Sequence, residues 1–472
     1  MKTCPVSKAC GGCNQDKNYE ATLDDKQKIV EKHLSEMCKV ERILGAQDPY
    51  YYRNKVHAAF GKINSKVVCG TYAPGSHKII ENSECLIENR LASAIILTIK
   101  KLAVSFKTPI FDERKGDGIL RRVLVRVGEG TGEVMVVIVV AQVDFPGKKA
   151  FVKELISRHK EITTVVFNLN NKRDSMILGL KSISAYGKGY IIERICGKSF
   201  KLSPESFCQI NHAQTEVLYG KAVEFASLSG NERILDAYCG IGTIGLIASD
   251  KAKSLVGIEL NGKAVVDATS NAKYNGVGNA SFRKGDASEL MLAASLKGER
   301  FDVVFLDPPR AGTTPEFVNA CKSVAPEKIV YISCSVETLA RDLNLFKKAG
   351  FMPQVAQPVD MFPWTEHVET VVLLSQLRQR PDDYIEVDVD VAELEGTSAE
   401  TKATYEKIKK YVAEHNDGMK VSSLYIAQVK RKCGIELAEN FNLPKSADAR
   451  QPQCPKDKEE AITEAFKAFQ MI

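Results

Sequence analysis

Residues 235–245 read Leu-Asp-Ala-Tyr-Cys-Gly-Ile-Gly-Thr-Ile-Gly. A short apolar strand ends at Asp236, and Gly240, Gly242 and Gly245 let the backbone turn at once into a helix whose N-terminus faces a ligand. Val-Gly-Ile-Glu then closes the next strand at Glu259. A carboxylate there accepts hydrogen bonds from both hydroxyls of a ribose, whether in a dinucleotide or in AdoMet. From 231 to 377 short apolar strands alternate with helical stretches, the pattern of an α/β, doubly wound parallel sheet of Rossmann-like type. On its own, Gly-x-Gly-x-x-Gly is also a weak match to a nicotinamide site.

Two further strand ends narrow the chemistry. Leu-Asp-Pro-Pro-Arg occupies 306–310, and Tyr-Ile-Ser-Cys-Ser-Val occupies 331–336, with Cys334 where the apolar run ends. Glu369 opens the next apolar run, 371–374. The last strand of such sheets runs antiparallel to the others, which brings Glu369 to the edge that holds Asp307 and Cys334. A thiol and a carboxylate together suit nucleophilic addition followed by proton removal. Taken singly, Cys334 reads as a small core hydrophobe and Glu369 as a solvated strand end. Hydride transfer has no evident use for the rigid Asp307-Pro-Pro-Arg310 turn.

These segments, with Phe207-Cys-Gln209-Ile-Asn211, resemble the AdoMet-dependent RNA (uracil-5)-methyltransferases over residues 4–377. The resemblance implies that Cys334 adds to carbon 6 of uracil, that Glu369 removes the carbon 5 proton, and that Asp307 contacts substrate and cofactor. It also implies AdoMet contacts at Gln209, Tyr238 and Asp286, beside Gly240, Gly242, Glu259 and Asp307. In amino-methylating enzymes the motif at 307–310 usually ends in a base-stacking aromatic residue, so Arg310 argues against adenine N6. RNA cytosine-5 enzymes place a thiol where Pro309 stands, which leaves Cys334. The resemblance points to the ribosomal branch and a 23S rRNA uridine, with a tRNA uridine as first alternative. A non-catalytic RNA-binding protein would have no need of Cys334 and Glu369 together, and a nicotinamide oxidoreductase is the third reading.

Cys4-x5-Cys10-x2-Cys13 has metal-ligand spacing, since a short loop can wrap its sulfurs around one centre. A fourth ligand is required. The resemblance supplies Cys85 and a [4Fe-4S] cluster, while all-thiolate ligation suits zinc as well.

At 472 residues the chain exceeds one domain. We expect a cysteine-rich metal-binding segment at 1–16, a central α+β domain at 17–200 that supplies Cys85, the methyltransferase domain at 201–377, a linker at 378–396 and a small helical module at 397–472. In the central domain the patterns predict helices over 22–38 and 86–106, paired strands over 52–63 and 66–73, and a hairpin of 123–127 with 133–140. In the last module a capping box at Thr397-Ser-Ala-Glu400 predicts a helix to 415, and 422–433 predicts a second with helix-turn-helix spacing. That helix bears Tyr425, Gln428, Lys430, Arg431 and Lys432.

The family usually begins with a small RNA-binding barrel ahead of the cysteines, which this chain is expected to lack. RNA grip then falls to that second helix or to Arg53, Lys55, Arg121, Arg122 and Arg126 of the central domain. A net charge of +6 permits a polyanionic partner without requiring one. An odd thirteen cysteines scattered through apolar stretches point to a reducing, cytoplasmic setting. No stretch reads as a signal peptide or a membrane span, and no obligate protein partner is implied.

Overall fold

The computed structural model describes residues 4–13, 17–172, 176–376, 405–416, 418–433, 435, 454–469 and 471. Two compact units divide the chain, Met1–Arg378 and Gln379–Ile472. Leu377, the linker at 378–396 and the capping box at 397–400 lie outside the described residues. Among the described residues no helix is long and apolar enough to cross a membrane.

The first unit contains two large sheets. The catalytic sheet has eight strands, in the order Lys39–Val40, Phe351–Val359, Glu369–Gln376, Lys328–Ser333, Val303–Leu306, Arg233–Ala237, Ser254–Glu259 and Ala280–Lys284. Only Glu369–Gln376 runs antiparallel to its neighbours. Strands buried on both faces become continuous apolar runs, and Ile329, Val330, Tyr331 and Ile332 are all fully covered. The N-terminal strand Lys39–Val40 is an addition the apolar patterns did not announce, because two residues carry no period. The helix before it, Tyr19–Leu34, begins three residues ahead of its expected start, at Asn18, whose side chain accepts from the Ala21 N–H at 2.8 Å.

The central sheet orders Ile79–Ile80, Lys66–Tyr72, Lys55–Ile63, Leu120–Val127, Val134–Val140, Ile162–Leu169 and Lys181–Tyr186. The two expected strand pairs form, with Ile63 opposite Lys66 and Val127 opposite Val134. The helix Arg90–Ser105 covers one face after a cap at Asn89, four residues later than the apolar pattern suggested. The other face contributes Leu124, Met135, Val137 and Val166 to a core shared with the catalytic sheet. The hairpin Ile191–Ile195 with Lys198–Leu202 enters the same core and spans the expected boundary at 200.

In the second unit the helices Tyr405–His415, Ser423–Lys432 and Lys456–Ala468 pack around Ile408, Val412, Ile426, Val429, Ile462 and Phe466. Ser422, expected as the first residue of the second helix, is its cap, accepting from the Tyr425 N–H at 3.2 Å. The third helix was not anticipated.

Candidate active site

The glycine turn is built as its sequence requires. Gly242 has φ +83°, a conformation that side chains disfavour, and it caps the short helix Thr243–Ala248. Asp236 is buried below, and its Oδ2 accepts from the Gly245 N–H at 2.8 Å. Its Oδ1 has no hydrogen-bond partner among the described residues. Glu259 accepts from the Gly240 N–H at 3.1 Å and the Asn261 N–H at 2.7 Å, which fixes its carboxylate beside the turn. A Cβ at Gly240 would meet nothing within 4 Å, so the space over the turn is open. Open space, backbone amides and a strand-end carboxylate together fit a nucleoside ligand such as AdoMet.

The remaining predicted cofactor residues surround this turn or the segment leading to it. Tyr238 adopts φ +65° within the turn and packs its ring 5.4 Å from that of Phe317. Asp286 spends one oxygen as a helix cap, accepting from the N–H groups of Ser288 and Glu289 at 2.9 and 3.2 Å. Gln209 is buried in the segment before the catalytic sheet. That segment is stitched to the central sheet, where the Asn54 N–H donates to Ile210 O at 2.8 Å and Arg126 donates to Ser206 O at 2.8 Å.

Strand register brings thiol and carboxylate together. Ser333 pairs with Thr370 across antiparallel strands, so Cys334 and Glu369 are the next residues out, one on each strand. Asp307 follows the end of the neighbouring strand Val303–Leu306. Glu369 is 3 % exposed, and its Oε2 has no hydrogen-bond partner among the described residues. Burial, reinforced by the Asp307 charge and opposed by Arg310, pushes the Glu369 carboxyl up to about 8. Part of Asp307 meets solvent, yet its carboxyl is walled in, and lost hydration raises it to about 7. Asp236 also rises to about 7, through burial first and then the Asp307 and Glu259 charges, against the Gly245 hydrogen bond. Burial and the charges of Glu369 and Asp307 raise the Cys334 thiol, while Arg310 pulls it down.

This electrostatic cluster was not legible in the spacing. In sequence Arg310 marks only a missing aromatic residue, whereas in the fold its charge acts on both the thiol and Glu369. The one available signal was its position, a lone cation in a turn otherwise holding a carboxylate and two prolines.

The N-terminal thiols come to one corner. Asn82 donates to Cys4 Sγ at 3.6 Å, Cys10 Sγ lies 3.3 Å from Thr71 Oγ1, and Cys13 and Cys85 pack on a cluster of Tyr52, Ile87 and Trp364. Cys10 and Cys85 line one cavity of about 200 Å³. Among the described residues, however, no three His, Cys, Asp or Glu side chains converge as a metal-holding group. The four-thiolate set is thus gathered without being closed. Trp364 is buried and donates to Pro49 O at 2.8 Å, a packed loop residue. The same loop is clamped by Lys26, whose Nζ lies 2.5 Å from Asp360 Oδ1, and by Tyr19, whose hydroxyl donates to Asp360 Oδ2 at 2.6 Å.

Several expected RNA contacts are corrected. Arg121 is buried and donates to Asn170 O and Lys172 O at 2.8 and 2.7 Å, and Arg126 is buried on Ser206. Both are internal braces, because a guanidinium can satisfy several buried carbonyls at once. Arg53, Lys55 and Arg122 are half-buried. In the second unit Lys430 is buried, Lys432 pairs with Glu459 at 2.7 Å, and Gln428 accepts from the Cys454 N–H at 2.9 Å. The three-helix packing consumes these groups, and of the two clearly exposed basic residues on that helix, Arg431 and Lys432, the latter is already paired. Residues 379–472 hold 14 Lys and Arg against 18 Asp and Glu, and residues 1–378 hold 51 against 41. The excess of basic residues therefore lies in the first unit.

A doubly wound sheet with an amide-lined turn, a strand-end carboxylate and one antiparallel strand has the architecture of the AdoMet-dependent methyltransferases. Comparison with known proteins agrees. The family model described as tRNA (Uracil-5-)-methyltransferase matches residues 193–377. An uncharacterized RNA methyltransferase of Clostridium tetani is 40 % identical over 377 residues, spanning 79 % of this chain and 82 % of its own. One from Halalkalibacterium halodurans is 39 % identical over 377 residues, with shares of 79 % and 82 %. The crystal structure of Pyrococcus abyssi tRNA (uracil-54, C5)-methyltransferase in complex with S-adenosyl-L-homocysteine superposes with a TM-score of 0.64 at 27 % identity, covering 79 % of this chain and 87 % of that one. The chain belongs to the RNA (uracil-5-)-methyltransferase family, whose enzymes use AdoMet as methyl donor.

Proposed function

We propose that this enzyme methylates carbon 5 of a uridine in 23S rRNA, in the cytoplasm, through a covalent bond between Cys334 and carbon 6. The observation that carries the reading is the placement of Cys334 and Glu369 as facing strand ends beside Asp307. Carbon 5 of uracil is a poor nucleophile. A thiolate that bonds carbon 6 pushes the ring's electron pair into an enolate and makes carbon 5 nucleophilic. Arg310 is the cation that favours the thiolate against its two carboxylate neighbours. AdoMet, when bound, supplies the electrophilic methyl group that carbon 5 takes up. Glu369 then accepts the carbon 5 proton, the pair restores the 5,6 double bond, and sulfur leaves carbon 6 as thiolate. Glu369 Oε2, with no hydrogen-bond partner among the described residues, has a lone pair unspent for that proton. The uridine must leave its stack to reach the thiol.

RNA carrying 5-fluorouridine at the target tests the scheme, because fluorine does not leave as a proton. Wild-type protein should form a denaturation-resistant complex, and Cys334→Ser should form none. Normal methylation by Cys334→Ser would sink the covalent reading.

The four-cysteine set favours the ribosomal substrate, since by resemblance the cluster-bearing branch acts on ribosomal RNA. A tRNA uridine is the second reading, supported by the family description and by the Pyrococcus enzyme. Mapping 5-methyluridine in rRNA and tRNA from a strain lacking the gene separates the two.

The same proposal assigns Cys4, Cys10, Cys13 and Cys85 to a [4Fe-4S] cluster, on their spacing and shared corner, with zinc as the other metal such thiols suit. Its part would be structural, as the methyl transfer moves no electrons between centres. Protein prepared without oxygen should be brown with about four irons per chain. Stoichiometric zinc in colourless protein would replace iron in the assignment.

A further inference from the structure

A buried carboxylate that the proton-transfer scheme leaves unused lies between the Asp307-Pro-Pro-Arg310 turn and the end of the Cys334 strand. Asp342 is fully buried on the helix Val336–Lys348, which begins two residues after Cys334. Its Oδ2 accepts from the Tyr331 hydroxyl at 2.6 Å and from the Thr313 N–H at 2.8 Å. Its Oδ1 accepts from Nε and Nη2 of Arg341 at 2.9 and 2.7 Å. The same Nη2 donates to Ala311 O at 2.7 Å and Thr313 O at 3.3 Å. Thr338, one turn earlier, donates from Oγ1 to Arg310 O at 3.2 Å.

Every residue from 310 to 313 except glycine is thus tied to this one helix. Gly312 permits the approach, because a Cβ there, at φ +76°, would stand 2.3 Å from both Asp342 Oδ2 and Thr338 Cγ2. Tyr331 belongs to the strand that ends beside Cys334, so one carboxylate joins the nucleophile's strand, the helix behind it and the turn that carries Asp307 and Arg310. Hydrogen bonds to a buried charge are short, strong and directional, which suits them to fixing a distance.

We infer that Asp342, oriented by Arg341, is a positioning residue that sets the Asp307–Arg310 turn at its working distance from Cys334. The inference rests on the reading of Cys334 as nucleophile. Neither residue touches the reacting atoms, and their effect passes through the turn. A displacement near 1 Å between reacting groups costs on the order of a hundredfold in rate.

The test uses full-length protein and single-turnover trapping on 5-fluorouridine RNA, at saturating RNA and AdoMet. Arg341→Met removes the clamp at a side chain that is 55 % exposed, and the amplitude of trapping reports the fraction that stays folded. Asp342→Asn keeps the shape and removes the charge. Adduct formation should slow about tenfold in Arg341→Met and further in Asp342→Asn, with the AdoMet dissociation constant within about threefold of wild type. A purely structural role would lower the amplitude of trapping, which counts folded molecules, and leave the rate constant alone. Wild-type rate constants in both variants would overturn the inference while the covalent reading stands. Failure of the wild type to form an adduct would overturn both.

Discussion

Glu369→Gln should stabilise the cofactor-free protein while stopping its reaction. In the fold the carboxyl is held near 8 against 4.5 for an ordinary glutamate, and it is too deeply buried for solvent to screen it. The folded state therefore keeps a proton that the unfolded chain has lost, and stability falls as pH rises between those two values. At pH 7 the cost is about 3 kcal/mol, at pH 5 about 1 kcal/mol and at pH 8 about 4 kcal/mol. Glutamine does not titrate. Its buried amide takes back roughly 1–2 kcal/mol at every pH, so the diagnostic quantity is the change in the gap, about 3 kcal/mol between pH 5 and pH 8. Trp364, the only tryptophan, lies in the loop that leads to Glu369, and urea unfolding followed by its fluorescence reports this region. A gap between variant and wild type that is equal at pH 5 and pH 8 would refute the argument.

On the proposed scheme Glu369 accepts the carbon 5 proton only when ionised, so breakdown of the methylated adduct in a single turnover should quicken with pH through about 8, and a breakdown rate flat from pH 6 to 8 would exclude it as the proton acceptor. Asp360→Ala leaves the buried Lys26 ammonium without its carboxylate partner and should cost about 3–5 kcal/mol by urea unfolding, much more than a surface charge deletion. Ending the chain at Arg378 should leave the RNA dissociation constant and its salt slope within about twofold of full length, since the helices beyond spend their polar groups on one another. A slope shallower by two or more would return RNA binding to the second unit.

The catalytic sheet was legible because each candidate site residue on it closes or opens an apolar run, and strand ends are where such sheets present groups to ligands. Asp236, Glu259, Asp307, Cys334 and Glu369 were all found by that rule. Two kinds of feature escaped it. Braces such as Arg121, Arg126 and Lys430 look identical in sequence to surface cations, because burial is decided by distant partners, as when Arg126 meets Ser206. Burial of the Asp236, Asp307 and Glu369 carboxyls, and the charge of Asp307 on the other two, depend on distances between strands, and neighbours in the sheet such as 303–306 and 328–333 are separated by a whole helix in the chain. Arg341 and Asp342 were hidden for the same reason. Nothing in Ala-Arg-Asp-Leu distinguishes a clamp from a solvated pair.

The pairing of Lys26 with Asp360 joins positions 334 residues apart, and Lys39–Val40 completes the sheet beside residues 351–359. A ribosome making this chain releases the N-terminal helix long before its partners exist. Lys26 must wait in water, where an ammonium is at ease, until Asp360 emerges. Closure of the catalytic edge consequently waits for Asp360, and a polypeptide cut off before it carries Cys334 but neither Glu369 nor the strand that pairs beside it.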